Sequence, residues 1–148
     1  MNQVVVKQEK SGYQIVEAYK SLRTNLQFCG EDKKVIAITS CTPNEGKSSV
    51  SMQLGISLAE IGKRVILIDA DLRKSVLLGR TKTEKSVRGL AHFLSGQASL
   101  EDVICATNIK NFYMIYSGPF PPNPAELLGG KNFRSLLNLS LIHISEPT

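Results

Sequence analysis

The alternation of apolar and polar residues divides the chain into the helices and strands of an α/β protein. Between Tyr13 and Phe28, apolar residues recur every three or four positions, as on one face of an amphipathic helix. Short apolar runs that follow Lys34 and Arg64 are typical of buried strands, and the segment Ser49–Ile61 between them has helical periodicity. The strand, helix and strand together predict one right-handed βαβ unit.

Shorter patterns predict the later elements. Gly89–Leu94 and Leu100–Cys105 fit short helices, and Phe112–Tyr116 fits a strand because it is short, aromatic and β-branched. A further helix is expected to begin at Asn123-Pro124, since Asn can cap a helix and proline suits its first turn. The polar, basic run Gly79–Arg88 is expected to be a mobile loop.

The composition limits the possible classes of function. The 148 residues fit one small domain, and no apolar run approaches the length of a membrane span. A net charge of +5 suits anionic ligands, but Lys and Arg are dispersed and no basic, aromatic-interleaved stretch indicates nucleic acid. Three cysteines far apart in sequence predict reduced thiols rather than a disulfide or metal framework. We expect a cytoplasmic protein.

The sequence from Lys34 to Ser49, KVIAITSCTPNEGKSS, has the layout of a phosphate-binding loop. A strand, a loop with free backbone N–H groups and a helix N-terminus present several donors and the positive end of a helix dipole to one anion. Lys47 would then reach the β- and γ-phosphates of a nucleotide, and Ser48 would ligate Mg²⁺. The strict motif G-x-x-x-x-G-K-[ST] is incomplete, because Cys41 occupies the position of its first glycine. A strand–turn–helix junction without a ligand is the alternative.

Two carboxylates, Asp69 and Asp71, follow the second apolar run. Open parallel sheets bind ligands at the carboxyl ends of their strands, so we expect these side chains at the edge where the loop lies. Taken alone, the pair also fits solvated turn residues. Together with Lys47 and Ser48, it predicts a site for a metal–nucleotide complex.

Five stretches resemble the bacterial tyrosine kinases of capsule and exopolysaccharide assembly: SCTPNEGKSS, VILIDADLRKS, EAYKSLRTNLQF, GLAHFLSGQASLEDVI and SGPFPPNPAELL. The match runs from Glu17 to Asn138. The resemblance implies an α/β fold of the P-loop NTPase type, with a parallel sheet flanked by helices. It also implies an ATP-dependent protein-tyrosine autokinase that regulates capsule or exopolysaccharide polymerisation and export.

The resemblance further implies roles for individual residues. ATP, with its Mg²⁺, would be held by the loop and the first helical turn: Thr42, Asn44, Glu45, Gly46, Lys47, Ser48 and Ser49. The metal would be supported by Ser48, Asp69 and Asp71, and Asp69 would orient or deprotonate the tyrosine hydroxyl. Catalysis would therefore depend on Lys47, Asp69 and Asp71.

In this family a Glu-x-x-Arg-x-x-Arg motif on the first helix holds subunits in a ring, and here it stands as Glu17, Lys20 and Arg23. Lys20 keeps the charge of the middle arginine but not its forked geometry. The implied partners are further copies of the chain, a protein tyrosine substrate and a transmembrane adaptor of the polysaccharide chain-length type. Such an adaptor would hold a cytoplasmic protein at the inner face of the membrane.

The expected organisation is a mobile segment over residues 1–12, a partial P-loop kinase domain over 13–138 and a non-native tail over 139–148. The tail resembles a translated sequencing adapter. A strand with a further Asp and a tyrosine cluster are expected to follow Asn138 in the family, so we expect weak ATP binding and little kinase activity from this chain. Two alternatives stay open: a partition or septum-site type ATPase switch, whose signature Lys is replaced here by Thr42, and a non-catalytic assembly fragment.

Overall fold

The computed structural model describes residues 1–6, 12–29, 35–38, 47–70, 81–83, 88–118 and 123–137. The helices in this part of the chain are α1 (Tyr13–Phe28), α2 (Lys47–Glu60), α3 (Leu90–Leu94), α4 (Leu100–Val103), α5 (Pro124–Leu128) and α6 (131–137). The strands are β1 (Asn2–Val6), β2 (Val65–Ile68), β3 (Thr81–Thr83), β4 (Ile104–Thr107) and β5 (Phe112–Ile115).

The five strands form one sheet in the order β2-β5-β4-β1-β3. β2 pairs with β5, and β1 with β4, in parallel, whereas β4 and β5, and β1 and β3, are antiparallel. Val65 to Ile68 lie directly opposite Phe112 to Ile115, and within the described residues β2 is an edge strand. The predicted α/β class, with a sheet flanked by helices, is confirmed, and the sheet is mixed rather than wholly parallel.

Helices cover both faces of the sheet. One buried cluster joins α2 to the strands: Val4, Val6, Met52, Ile56, Ala59, Cys105, Phe112, Met114 and Tyr116. A second cluster joins α3 and α6 to the opposite face: Leu90, Ala91, Leu94, Val103, Ile104, Ile115 and Leu136. Successive residues of β5 therefore contribute to opposite clusters, as expected for a strand buried on both faces. None of the described helices is long and apolar enough to cross a lipid bilayer.

α2 ends in a backbone motif that turns the chain directly into β2. Gly62 has a φ of 88°, a conformation that favours glycine, and its N–H donates to the carbonyl of Ala59 at 3.1 Å. The N–H of Lys63 donates to the carbonyl of Leu58 at 3.2 Å, which completes a Schellman motif. Because the turn is short and α2 packs on β2, the helix runs antiparallel to the strand. The N-terminus of α2 thus lies toward the carboxyl end of β2.

The two longest predicted helices and three shorter predicted elements are confirmed. α1 has the predicted bounds, and α2 begins two residues before the predicted Ser49. β2 and β5 occupy the predicted apolar runs, and α5 begins at Pro124 with Asn123 as its N-cap. The segment predicted to be helical ends at Ile61, which the structure places outside α2 and the core, with 39% of its surface exposed.

Three segments form strands that the sequence did not predict. Residues 2–6, expected to be mobile, are β1 in the sheet interior, where Val4 and Val6 are buried. Thr81–Thr83, within the expected mobile loop, pair with β1 as β3. The helix predicted to reach Cys105 ends at Val103, and β4 follows at once. These strands are about as short as β2 and β5, but they are not continuous apolar runs: their sequences are NQVVV, TKT and ICAT, and each contains at least one polar residue.

The predicted strand before the phosphate-binding loop is wrong for the residues described. Residues 35–38 carry no strand pairing, and Val35 and Ile36 are 56% and 46% exposed. A strand is stabilised by hydrogen bonds to a neighbouring strand, and none of the five strands pairs with this segment. Among the described residues, the predicted βαβ unit is therefore represented by α2 and β2.

Candidate functional site

The N-terminus of α2 is the first component of the candidate site. The helix begins at Lys47, the residue predicted to follow the loop, and its first turn contains no acidic residue. The first backbone N–H groups of a helix have no intrahelical acceptor and carry the positive end of the helix dipole, so an anion is favoured there. Four of the residues predicted to bind the nucleotide lie outside the described residues: Thr42, Asn44, Glu45 and Gly46. For three more, the backbone is described but the side chains are not: Lys47, Ser48 and Ser49.

Asp69 is the second component, and the sheet determines which side it faces. Val65 and Leu67 of β2 pack against the cluster that contains Met52 and Ile56 of α2, whereas Ile66 and Ile68 pack on the opposite face. The alternation extends to Asp69, because its N–H donates to the carbonyl of Ile115 at 2.9 Å and so continues the ladder with β5. Successive side chains of a strand point to opposite faces. Asp69 is therefore on the α2 face of the sheet, where it is half-buried.

The two components lie at the same edge of the sheet. α2 returns along β2 from its C-terminal turn, so its first turn and Asp69 both lie at the carboxyl end of β2. A helix N-terminus attracts phosphate, and a neighbouring carboxylate can accept a proton or hold a hydrated cation. Asp71, the second predicted carboxylate, lies outside the described residues. Within the described ranges, no three His, Cys, Asp or Glu side chains are grouped so as to hold a metal.

The three residues predicted to form a subunit contact all lie on α1. Glu17 and Lys20 form an ion pair at 3.4 Å, with side chains 45% and 49% exposed. Arg23 is directed elsewhere: its guanidinium donates to the carbonyl of Ser57 at 3.0 Å and to the Ser57 hydroxyl at 3.2 Å. Within one chain, Arg23 thus joins α1 to α2, the helix that begins at the candidate site.

The sequence did not identify Ser57 or Ser117 as residues of interest. Ser57 is 7% exposed and lies in the last turn of α2 beside Arg23, a position that only the packing of α1 on α2 reveals. Ser117 is 1% exposed, and its hydroxyl has no hydrogen-bond partner in the part of the chain that the structure describes. It follows β5 and lies over the α3 side of the sheet by alternation with Ile115, away from Asp69. In the sequence, the position of Ser117 directly after the apolar run Phe112–Tyr116 is the one feature that could have indicated a buried serine.

A family model described as an AAA domain matches residues 33–145 of the chain. The matched range contains α2, β2 and Asp69. The model therefore covers both components of the candidate site.

Relatives among curated proteins include tyrosine-protein kinases. The chain is 44% identical over 121 residues to the tyrosine-protein kinase CpsD of Streptococcus agalactiae, covering 82% of this chain and 53% of that protein. It is 43% identical over 122 residues to the tyrosine-protein kinase YwqD of Bacillus subtilis strain 168, covering 81% and 51%. The chain spans about half the length of the curated relatives it matches.

Solved structures similar to this chain include kinase domains of tyrosine kinases. The kinase domain of the Escherichia coli tyrosine kinase ETK matches with a TM-score of 0.79 and 38% identity, covering 86% of this chain and 51% of that chain. The BceF tyrosine kinase domain matches with a TM-score of 0.76 and 40% identity, covering 86% and 51%. Both likenesses combine a shared fold with substantial sequence identity.

Proposed function

Since the chain belongs to the AAA domain family and, within it, to the bacterial tyrosine-protein kinases, we propose that it binds ATP with Mg²⁺ and serves phosphoryl transfer to tyrosine. The observation that carries the proposal is the placement of the α2 N-terminus and Asp69 on one face, at one edge of the sheet. The described groups fit a nucleotide with a cation, because they combine the N–H donors of a helix N-terminus with a half-buried carboxylate.

Each residue has a distinct part in the proposed chemistry. The backbone N–H groups of Gly46, Lys47 and Ser48 bind the phosphates, and the Lys47 ammonium neutralises the charge on the β- and γ-phosphates. Ser48 and Asp71 hold Mg²⁺, which when bound neutralises charge on the phosphates. Asp69 orients the tyrosine hydroxyl and accepts its proton at a carboxylate oxygen. The rest of the phosphate loop surrounds the nucleotide with Thr42, Asn44, Glu45 and Ser49.

The proposed setting of the reaction follows the same family. Copies of the chain assemble through the face of α1 that carries Glu17 and Lys20, and Arg23 joins this face to α2 through its bonds to Ser57. A transmembrane adaptor of the polysaccharide chain-length type brings the kinase to the cytoplasmic face of the membrane. The substrate is a protein tyrosine, and the process regulated is capsule or exopolysaccharide assembly. The exposed Glu17–Lys20 pair supports the assembly proposal, since charged groups at a surface can pair with those of another copy.

Replacing Lys47 tests the nucleotide site. We expect Lys47→Ala to weaken Mg-ATP binding about tenfold or more in a calorimetric titration, because a charged hydrogen bond to phosphate contributes about 1.5–3 kcal/mol. Lys63→Ala is the matched control, since it removes an exposed lysine beyond the opposite end of α2. The control should bind like the parent chain. Equal affinities of the Lys47→Ala variant and the parent would show that the loop does not bind phosphate.

A further inference from the structure

Arg23 connects two helices through a contact inside one chain. One terminal nitrogen of its guanidinium, Nη1, donates both to the backbone carbonyl of Ser57 and to the Ser57 hydroxyl, at 3.0 and 3.2 Å. Ser57 is buried in the last turn of α2, and Arg23 is half-buried on the face of α1 that packs against α2. A charged hydrogen bond that is shielded from water is stronger than one at the surface.

The carbonyl of Ser57 lies in the last turn of α2, where backbone carbonyls carry the negative end of the helix dipole. The helix also tightens there, since the N–H of Ile61 donates to the carbonyl of Leu58 at 3.3 Å. The last turn of α2 also contains no basic residue of its own. Arg23 therefore supplies both a donor and a positive charge at the negative end of the helix dipole.

We propose that Arg23 is a positioning residue for the nucleotide helix: by anchoring the C-terminal end of α2 to α1, it sets where the N-terminal end of α2 meets phosphate. The proposal rests on the proposed function of that N-terminus. α2 has 14 residues and is therefore about 21 Å long. A tilt of roughly 3° about one end moves the other by about 1 Å, a displacement large enough to affect a catalytic site.

The anchor is distinct from the other contacts of α2. Met52 and Ile56 fix the inner face of the helix to the sheet, whereas Arg23 holds the side that faces α1. Since Arg23 lies on the helix proposed to contact another copy, a movement of α1 on assembly would be transmitted to α2 through this bond.

Three variants of the full chain test the anchor. Arg23→Met removes the guanidinium and keeps an unbranched apolar stem, and Arg23→Lys restores a cation that can reach the same carbonyl. Lys63→Met makes the same exchange of a cation for methionine close to the end of α2, where the side chain is exposed and has no described partner. Any effect of general charge near the helix end would appear in this control.

Amide hydrogen exchange measured by NMR gives the first readout. We expect Arg23→Met to raise exchange about fivefold in the N-terminal half of α2, relative to the amides of β5, and Arg23→Lys to return it to within about twofold of the parent. Lys63→Met should leave exchange unchanged. A uniform increase across α2 and β5 would indicate only a loss of global stability and would overturn the proposal, as would no increase at all.

Calorimetric titration with Mg-ATP gives the second readout. We expect about fivefold weaker binding for Arg23→Met and recovery in Arg23→Lys. Faster exchange in α2 with unchanged ATP affinity would overturn the positioning role. A parent chain that binds no Mg-ATP would refute the proposed nucleotide function, and the exchange measurement would still decide whether Arg23 anchors the helix.

Discussion

Gly55 lies where α2 packs on the sheet beside Phe112 and Val65, and replacing it tests how the helix is seated. A Cβ atom at this position would lie 2.7 Å from Cε1 of Phe112 and 3.5 Å from Cγ1 of Val65. Carbon atoms pack best at about 3.5–4.0 Å, and the Phe112 ring is only 1% exposed, so it has little room to move. Overpacking costs about 1–3 kcal/mol, whereas alanine gains about 0.5–1 kcal/mol over glycine in a helix. We expect Gly55→Ala to destabilise the chain by about 1–2 kcal/mol.

Equilibrium unfolding in urea measures this difference. With a typical urea dependence of about 2 kcal/mol per molar, the midpoint should fall by about 0.5–1 M. Gly129→Ala is the matched control, because Gly129 also has a helical backbone and a Cβ there would lie 3.4 Å from the carbonyl oxygen of Ala125, an ordinary contact. The control should be neutral or slightly more stable.

A second substitution shows whether the Phe112 ring is the cause. Phe112→Leu removes the ring edge that a Cβ at Gly55 would meet, so the double variant should be about 1 kcal/mol more stable than the sum of the single effects predicts. If Gly55→Ala instead stabilised the chain by the full gain in helix propensity, α2 would not be seated against β5 as described. The placement of the α2 N-terminus beside Asp69 would then lose its support.

Two further predictions concern polar groups. Hydrogen bonds from the N–H and the hydroxyl of Ser99, each at 3.0 Å, lower the pKa of the exposed Asp102 carboxyl below its ordinary value of 3.8. Asp102 therefore stabilises the fold above about pH 4, and this contribution is lost as the pH falls through the lowered pKa. In chemical unfolding at several pH values, the stability deficit of Asp102→Asn relative to the parent should be largest near neutrality and should shrink as the pH falls through the lowered pKa of Asp102, and a constant difference would contradict the argument. Ser117→Ala should be neutral or up to about 1–3 kcal/mol more stable, because it removes a buried hydroxyl for which the described residues provide no partner. A loss of stability in the same assay would show that the hydroxyl accepts or donates a hydrogen bond.

The sequence predicted those parts of the fold that repeat one pattern over many residues. The 16 residues of α1 cover more than four turns, so their apolar spacing is distinctive and the predicted bounds agree with the structure. β2 and β5 were predicted because buried strands appear as short apolar runs next to turn residues. In both cases the signal is local and the tertiary structure does not oppose it.

The remaining strands depend on partners that are distant in sequence. β1 is recognisable only because β4 and β3 pair with it, about 100 and 80 residues away. Residues 35–38 show the opposite case: they have the apolar, β-branched composition of a strand, yet no described strand pairs with them. Strand propensity describes fit to a sheet, so composition cannot replace a missing neighbour.

The candidate site likewise has features that the sequence predicted and features that only the structure shows. The spacing of Asp69 after an apolar run predicted its place at the sheet edge, and the ladder to β5 adds that it faces α2. The bond from Arg23 to Ser57 could not have been predicted, because it joins residues 34 apart and its main acceptor is a backbone carbonyl. α2 is thus held by Gly55 against the sheet and by Arg23 against α1. Gly55→Ala should lower the global stability measured by unfolding, because Gly55 packs against the sheet. Arg23→Met should mainly raise amide exchange in α2, because Arg23 holds one end of that helix. Different outcomes for the two variants would show that contacts outside the phosphate loop help to position the N-terminus of α2.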